Sequence, residues 1–337
     1  MFIAKEDIFV KKIPCYFFPS QVVLIDDDRT ILDNLVPCLD EDTSVHVTFQ
    51  NPFKALDYVN AQPKYQPSSD QLIEVTNSEE WQHIRLDFNI YDVHKRVYNP
   101  NRFKQISTLV VDYHMPGING LEFCEKITNS GVQRILLTGD EDEHIAIEAF
   151  NQGLIHAYVK KHEFEAIKKL KKAIHDSQFN YFQNLSRLTM SAATFDKSTT
   201  ALEDSCFVEL FFDLIKENKI VEHYLHETTG TFLFLNKKGE SSSLFTFTQD
   251  QLDLISSFHD YSGPLFDSLK TYEQILCFHS RETVEIPSPS QWHQYVRPAQ
   301  LLQGDQRYYY AYGANGFDLD HSQILSFEAY LTARSYN

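Results

Sequence analysis

The chain has 337 residues, with 47 acidic and 30 basic side chains and a formal charge of −17. That balance excludes a protein that grips nucleic acid with its whole surface, and a hydrophobic content of 42% excludes a disordered chain. The length is enough for two domains with cores of their own.

Residues 1–20 read as an N-terminal extension. Glu6 and Asp7 interrupt its apolar run, so it lacks the pattern of a signal peptide. QVVLI (21–25) is a continuous apolar run, as expected of a strand buried on both faces. A helix with Ile31, Leu32, Leu35 and Val36 follows, then a strand at VHVTF (45–49) and a helix at 52–60 with Pro52 in its first turn. Residues 61–106 break the rhythm as an insertion. The capping-box spacing of Thr76 and Glu79, then Trp81, Ile84, Phe88 and Tyr91 at helical intervals, predict a helix over about 78–97 docked by its aromatic face. STLVVD (107–112) is the third strand, followed by a helix at 121–127. RILLT (134–138) is the fourth, followed by a helix at 141–153 ending at Gly153. HAYVK (156–160) is the fifth, followed by a helix at 164–174.

Alternating strands and helices predict a doubly wound, five-stranded parallel sheet carrying a helical insertion. Residues 179–204 read as a helix extension and a small, polar linker. An α+β domain occupies 205–337, with a helix at 207–217, strands at VEHYLHE, TFLFLNKKG and SLFTFT, helices at about 250–276, a strand and turn over 308–320 and a last helix at 322–333. Five widely spaced Cys with no CxxC pair predict reduced thiols and a cytoplasmic protein. No apolar stretch reaches membrane-spanning length.

In such a sheet, ligands sit at the carboxyl ends of the strands. Asp26, Asp27 and Asp28 follow the first strand, Asp112 ends the third, Thr138 ends the fourth and Lys161 follows the fifth. Clustered carboxylates repel one another unless a cation joins them, and Mg2+ is a hard, oxygen-seeking partner for two or three of them. One carboxylate can then attack phosphorus while a hydroxyl and an ammonium hold the transferred oxygens. Asp28 also reads as a helix N-cap.

With these residues placed, the sequence resembles the receiver domain of bacterial two-component response regulators over about 21–178, the insertion excepted. The motifs are IDDD, LVVDYHMPGINGLEF, LLTG and AYVKKHE. The resemblance implies a flavodoxin-like receiver with Asp112 as phosphoacceptor. Asp26, Asp27, Asp112 and the backbone carbonyl of His114 would be the Mg2+ ligands, Thr138 and Tyr158 the switch residues and Lys161 the phosphate partner. Pro116, Gly117 and Gly120 match the family's turn. It also implies a sensor histidine kinase or phosphotransfer protein as partner, a homodimer on phosphorylation, and no enzyme activity beyond phosphotransfer to itself and autodephosphorylation. Two features depart from the family pattern: His162 where Pro is usual, and the insertion. Together with an unfamiliar output domain, they are similar to the Legionella quorum-sensing type of response regulator.

Other residues have plainer readings. Lys160 adjoins Lys161, and register alone favours the latter. His114 and Asp140 can be read as tuning dephosphorylation or as solvated loop residues. Lys168, Lys169, Lys171 and Lys172 read as a solvated helix face, Trp81 and Phe88 as docking residues, and His223 and His226 as non-metal residues on opposite faces of a strand. Residues 180–337 hold 11 basic and 20 acidic side chains, so 11 − 20 = −9, which disfavours nucleic acid as a partner. A protein- or ligand-binding output is expected. The alternatives are an unrecognised enzyme or a divergent DNA-binding transcriptional regulator.

Overall fold

A computed structural model describes residues 12–39, 42–62, 73–78, 83–88, 93–139, 142–194, 200–257, 263–278, 289–313, 317 and 319–335. In chain order it forms β1 (Tyr16–Phe17), β2 (Ser20–Ile25), α1 (Arg29–Leu35), β3 (Ser44–Phe49), α2 (Pro52–Ala61), β4 (Ile73–Ser78), β5 (His83–Phe88) and β6 (Ile106–Asp112). Then come α3 (Gly120–Glu125), β7 (Gln133–Thr138), α4 (Glu143–Asn151), β8 (Ala157–Lys160), α5 (Ala166–Ala193) and α6 (Ser205–Glu217). The remainder is β9 (Ile220–Glu227), β10 (Thr231–Asn236), β11 (Ser241–Thr248), α7 (Gln249–Ser257), α8 (Pro264–Lys270), β12 (Gln274–Leu276), β13 (Val296–Pro298), β14 (Gln300–Gln303), β15 (Arg307–Gly313) and α9 (Phe327–Ser335).

Two compact units result. The parallel-sheet unit is drawn from Phe18–Pro67 and Pro100–Ser186, the antiparallel-sheet unit from Met1–Phe17, Ser68–Asn99 and Arg187–Asn337. In the first, five strands lie in the order β3-β2-β6-β7-β8, every pairing parallel. Parallel strands need helical crossovers, which cover the sheet, so the middles of the central strands are apolar. Val22, Leu24, Val110, Ile135, Leu137 and Val159 pack with Leu32, Leu35, Leu170 and Ile174 from α1 and α5. Asp28 caps α1 by accepting from the Thr30 amide at 2.7 Å, and Asn119 opens α3 with a capping box closed by Glu122.

At the amino ends of these strands lies a buried polar seam. The Gln178 amide of α5 donates to Ser20 Oγ and to the Thr43 carbonyl, both at 3.0 Å, and Ser44 Oγ donates to Gln178 Oε1 at 3.2 Å. Gln105 Nε2 donates to the Tyr181 hydroxyl at 2.6 Å. This seam fastens the long helix α5, whereas the opposite strand edge is left for chemistry.

The insertion differs from expectation. In place of a helix over 78–97, β4 and β5 pair as an antiparallel hairpin and His94–Tyr98 form a 3-10 turn. Ile73 and Val75, and Ile84, Leu86 and Phe88, alternate at strand spacing. Ile84 and Phe88 fit both periods, and the β-branched residues decide for the strand. Thr76 pairs with Arg85 in the ladder instead of capping a helix. Glu79, Trp81 and Tyr91, on which the helix reading leaned, lie outside the described residues.

The antiparallel-sheet unit holds six strands in the order β1-β9-β10-β11-β15-β14. Phe211 of α6 packs on its face against His223, Phe232 and Phe234. His223 hydrogen-bonds the Pro14 carbonyl at 3.2 Å, and burial pushes its pKa down to about 3 despite that bond. Short β1, β13 and β14 were not legible as strands, having two to four residues each.

Replacing Gln178 by Leu keeps the volume but leaves the Ser44 hydroxyl and the Thr43 carbonyl without this partner. Unsatisfied buried groups cost about 1–3 kcal/mol. The urea midpoint should fall accordingly, and an unchanged midpoint would show that the seam adds nothing.

Candidate functional site

The carboxyl edge of the parallel sheet gathers the charged residues. β2 ends at Ile25 and hands over to Asp26 and Asp27, while β6 itself ends on Asp112. Asp26 and Asp112 are only 2% and 5% exposed, whereas Asp27 faces solvent. One oxygen from each of the three carboxylates lies within 4.8 Å of the others. Lys161, one residue past β8, bridges two of them: its Nζ stands 2.8 Å from Asp26 Oδ2 and 2.8 Å from Asp112 Oδ1. The Asp28 amide donates to Asp26 Oδ1 at 2.9 Å and fixes that carboxylate from the other side.

The turn after β6 is sterically specified. Gly117 has φ of +83°, which favours glycine. A Cβ on Gly120 would stand 2.5 Å from the Asp112 carbonyl oxygen and 2.8 Å from Leu136 Cδ1, so a side chain there would displace β6. The Gly120 amide donates to the Tyr113 carbonyl at 2.9 Å and closes the turn.

Electrostatics follow from this crowding. Burial raises the Asp112 pKa, and the neighbouring Asp26 adds to the rise, while the Lys161 bond only partly opposes it. For Lys161, burial works against the ammonium, but the bonds to Asp112 and Asp26 outweigh it and its pKa is raised. Three carboxylates against one ammonium leave negative charge uncompensated. The donor set is all oxygen and closely spaced, which fits a small, hard divalent cation. Among the described residues this is the only group of three or more His, Cys, Asp or Glu side chains placed to share an ion.

The remaining candidates lie as follows. Thr138 ends β7, fully buried, and its hydroxyl donates to the Gly139 carbonyl at 2.8 Å rather than to Asp112. Tyr158 is half-buried on β8. Lys160 turns away and pairs with Glu143 at 2.6 Å. The His114 imidazole is exposed and bonds Asp142 at 2.7 Å, joining the loop after β6 to the start of α4. Spacing gave no sign of that pair, whose members are 28 residues apart. Asp140 lies outside the described residues. On α5, Lys168, Lys169 and Lys172 each pair with a nearby carboxylate, as a solvated face does.

The family model for the response regulator receiver domain matches residues 69–175, a span that contains Asp112, Thr138, Tyr158 and Lys161 but not Asp26 and Asp27. The chain is similar to the solved response regulator LqsR of Legionella pneumophila, at 35% identity and a TM-score of 0.77, covering 95% of each chain. It also matches an adenylate cyclase from Rhodopirellula baltica (20% identity, 51% of this chain, 96% of that one, TM-score 0.36). A further match is a response regulator receiver domain protein from Clostridium thermocellum (20% identity, 47% of this chain, 94% of that one, TM-score 0.30). No curated protein matches. No described helix is long and apolar enough to cross a membrane.

Because Asp112 has a folded pKa above its unfolded value near 3.8, its ionisation opposes folding. That penalty is absent below about pH 3.8, where both states are protonated. It grows as pH rises from there toward the raised pKa and is complete above it. In EDTA, Asp112→Asn should therefore melt higher than the parent at pH 7 and no higher at pH 3, by calorimetry; a lower melting temperature at pH 7 would contradict this. The acid cluster at the strand ends, the receiver-domain match and the full-length likeness together place the chain in the family of two-component response regulators.

Proposed function

We propose that this response regulator accepts a phosphoryl group on Asp112 from a sensor histidine kinase or a phosphotransfer protein. The observation that carries this reading is the Asp112 carboxylate, nearly buried at a strand end, bonded to Lys161 and within 4.8 Å of Asp26 and Asp27. An Asp112 oxygen forms a bond to phosphorus as the phosphorus–nitrogen bond of the donor phosphohistidine breaks, and the leaving imidazole takes up a proton. Asp26, Asp27, Asp112 and the His114 carbonyl would hold Mg2+, which when bound neutralises charge on the incoming phosphoryl oxygens.

Lys161 exchanges a carboxylate for a phosphoryl oxygen. The Thr138 hydroxyl gives up the Gly139 carbonyl and donates to another phosphoryl oxygen, and Tyr158 turns inward behind it. Added charge and acceptor oxygens then bias the face built from α4, β8 and the start of α5. That face exposes Ile147, Phe150, Ile167 and, at 88%, Phe164, which suits it to a homodimer contact. Switched dimerisation or altered interactions of the antiparallel-sheet unit would be the output. A quorum-sensing input in the cytoplasm is the signal context that the sequence resemblance supports.

Incubation with acetyl phosphate and Mg2+, read by intact mass, should add one phosphoryl group. Asp112→Asn and EDTA should each abolish it, and Lys161→Ala should reduce it. Undiminished labelling of Asp112→Asn would sink the assignment.

A further inference from the structure

The antiparallel-sheet unit is not a self-contained C-terminal domain. Two of its parts come from far upstream. β1 is its edge strand, pairing Tyr16 with Tyr224 and Phe17 with His223 on β9. The Leu225 amide donates to the Cys15 carbonyl at 2.6 Å, and Ile13, Cys15 and Tyr16 are buried. The second part is the end of the insertion. Val93, His94 and Val97 are buried, and the His94 ring meets the edge of His226 at 5.1 Å. The Tyr98 hydroxyl accepts from the Asp320 amide at 3.2 Å, and the Arg96 guanidinium lies over the Tyr16 ring, binding the two upstream parts to each other.

The chain continues from these parts straight into the acid site's own strands. β2 begins three residues after Phe17 and delivers Asp26 and Asp27; β6 begins seven residues after Asn99 and ends on Asp112. Both strands that supply the three carboxylates are therefore covalent continuations of segments embedded in the antiparallel-sheet unit.

We propose that phosphorylation does not release this unit. Residues 13–17 and 93–98 remain built into it in both states, and the acid site acts on it through β2 and β6. A releasable output needs a single flexible connection, whereas freeing this one would strip an edge strand and two buried valines from its core. The inference rests on the phosphotransfer reading for its switching part; the clasp itself does not.

The test nicks the full-length protein at a protease site introduced at 195–199, before and after acetyl phosphate with Mg2+, and follows the pieces by size exclusion. The N- and C-terminal pieces should co-elute in both conditions. Tyr16→Asp combined with Val97→Asp, whose receiver folding is checked by Mg2+-dependent phosphate labelling of the uncut chain, should let them separate. Separation of the unmodified pieces in either condition would overturn the clasp, and so would retention in that double variant. Failure of labelling with co-elution intact would count against phosphotransfer alone.

Discussion

One ammonium serves two buried carboxylates, and the site is arranged around that imbalance. Lys161 stands at 2.8 Å from Asp26 and from Asp112, with Asp27 close by in solvent. A pair would be neutral; this group remains negative, and its members cannot move apart because strands β2 and β6 are hydrogen-bonded neighbours. Such a cluster favours a further positive charge. The glycine at position 120 follows from this arrangement, since a side chain there would meet the backbone carbonyl of Asp112.

The parallel sheet and its acid edge were legible in the sequence for a physical reason. Strands buried on both faces carry continuous apolar runs, so an Asp at the end of LVVD or just after VVLI stands out. The turn chemistry after Asp112 was equally visible because only glycine fits it. Register alone favoured Lys161 over Lys160, and the structure sends Lys161 toward the acids and Lys160 to Glu143. The His114–Asp142 bond was invisible because it joins two loops distant in sequence.

The insertion misled because its apolar residues Ile84 and Phe88 satisfy two periods at once. The antiparallel-sheet unit was harder for a different reason. Its core is not contiguous in the chain: β1 and residues 93–98 contribute buried side chains from positions that read as an extension and as the tail of an insertion. A composition change near residue 189 marks where most of that unit begins, but no local pattern announces segments recruited from upstream.

The most direct measurement concerns which carboxylate carries the phosphoryl group. Borohydride reduces an aspartyl phosphate to a primary alcohol and leaves a free carboxylate untouched, so treatment of the acetyl-phosphate-labelled protein followed by peptide sequencing reads the acceptor. Homoserine at position 112, with Asp26 and Asp27 intact, is the expected result. Homoserine at 26 or 27, or phosphate bound with no carboxylate reduced, would contradict the assignment of Asp112 as the acceptor.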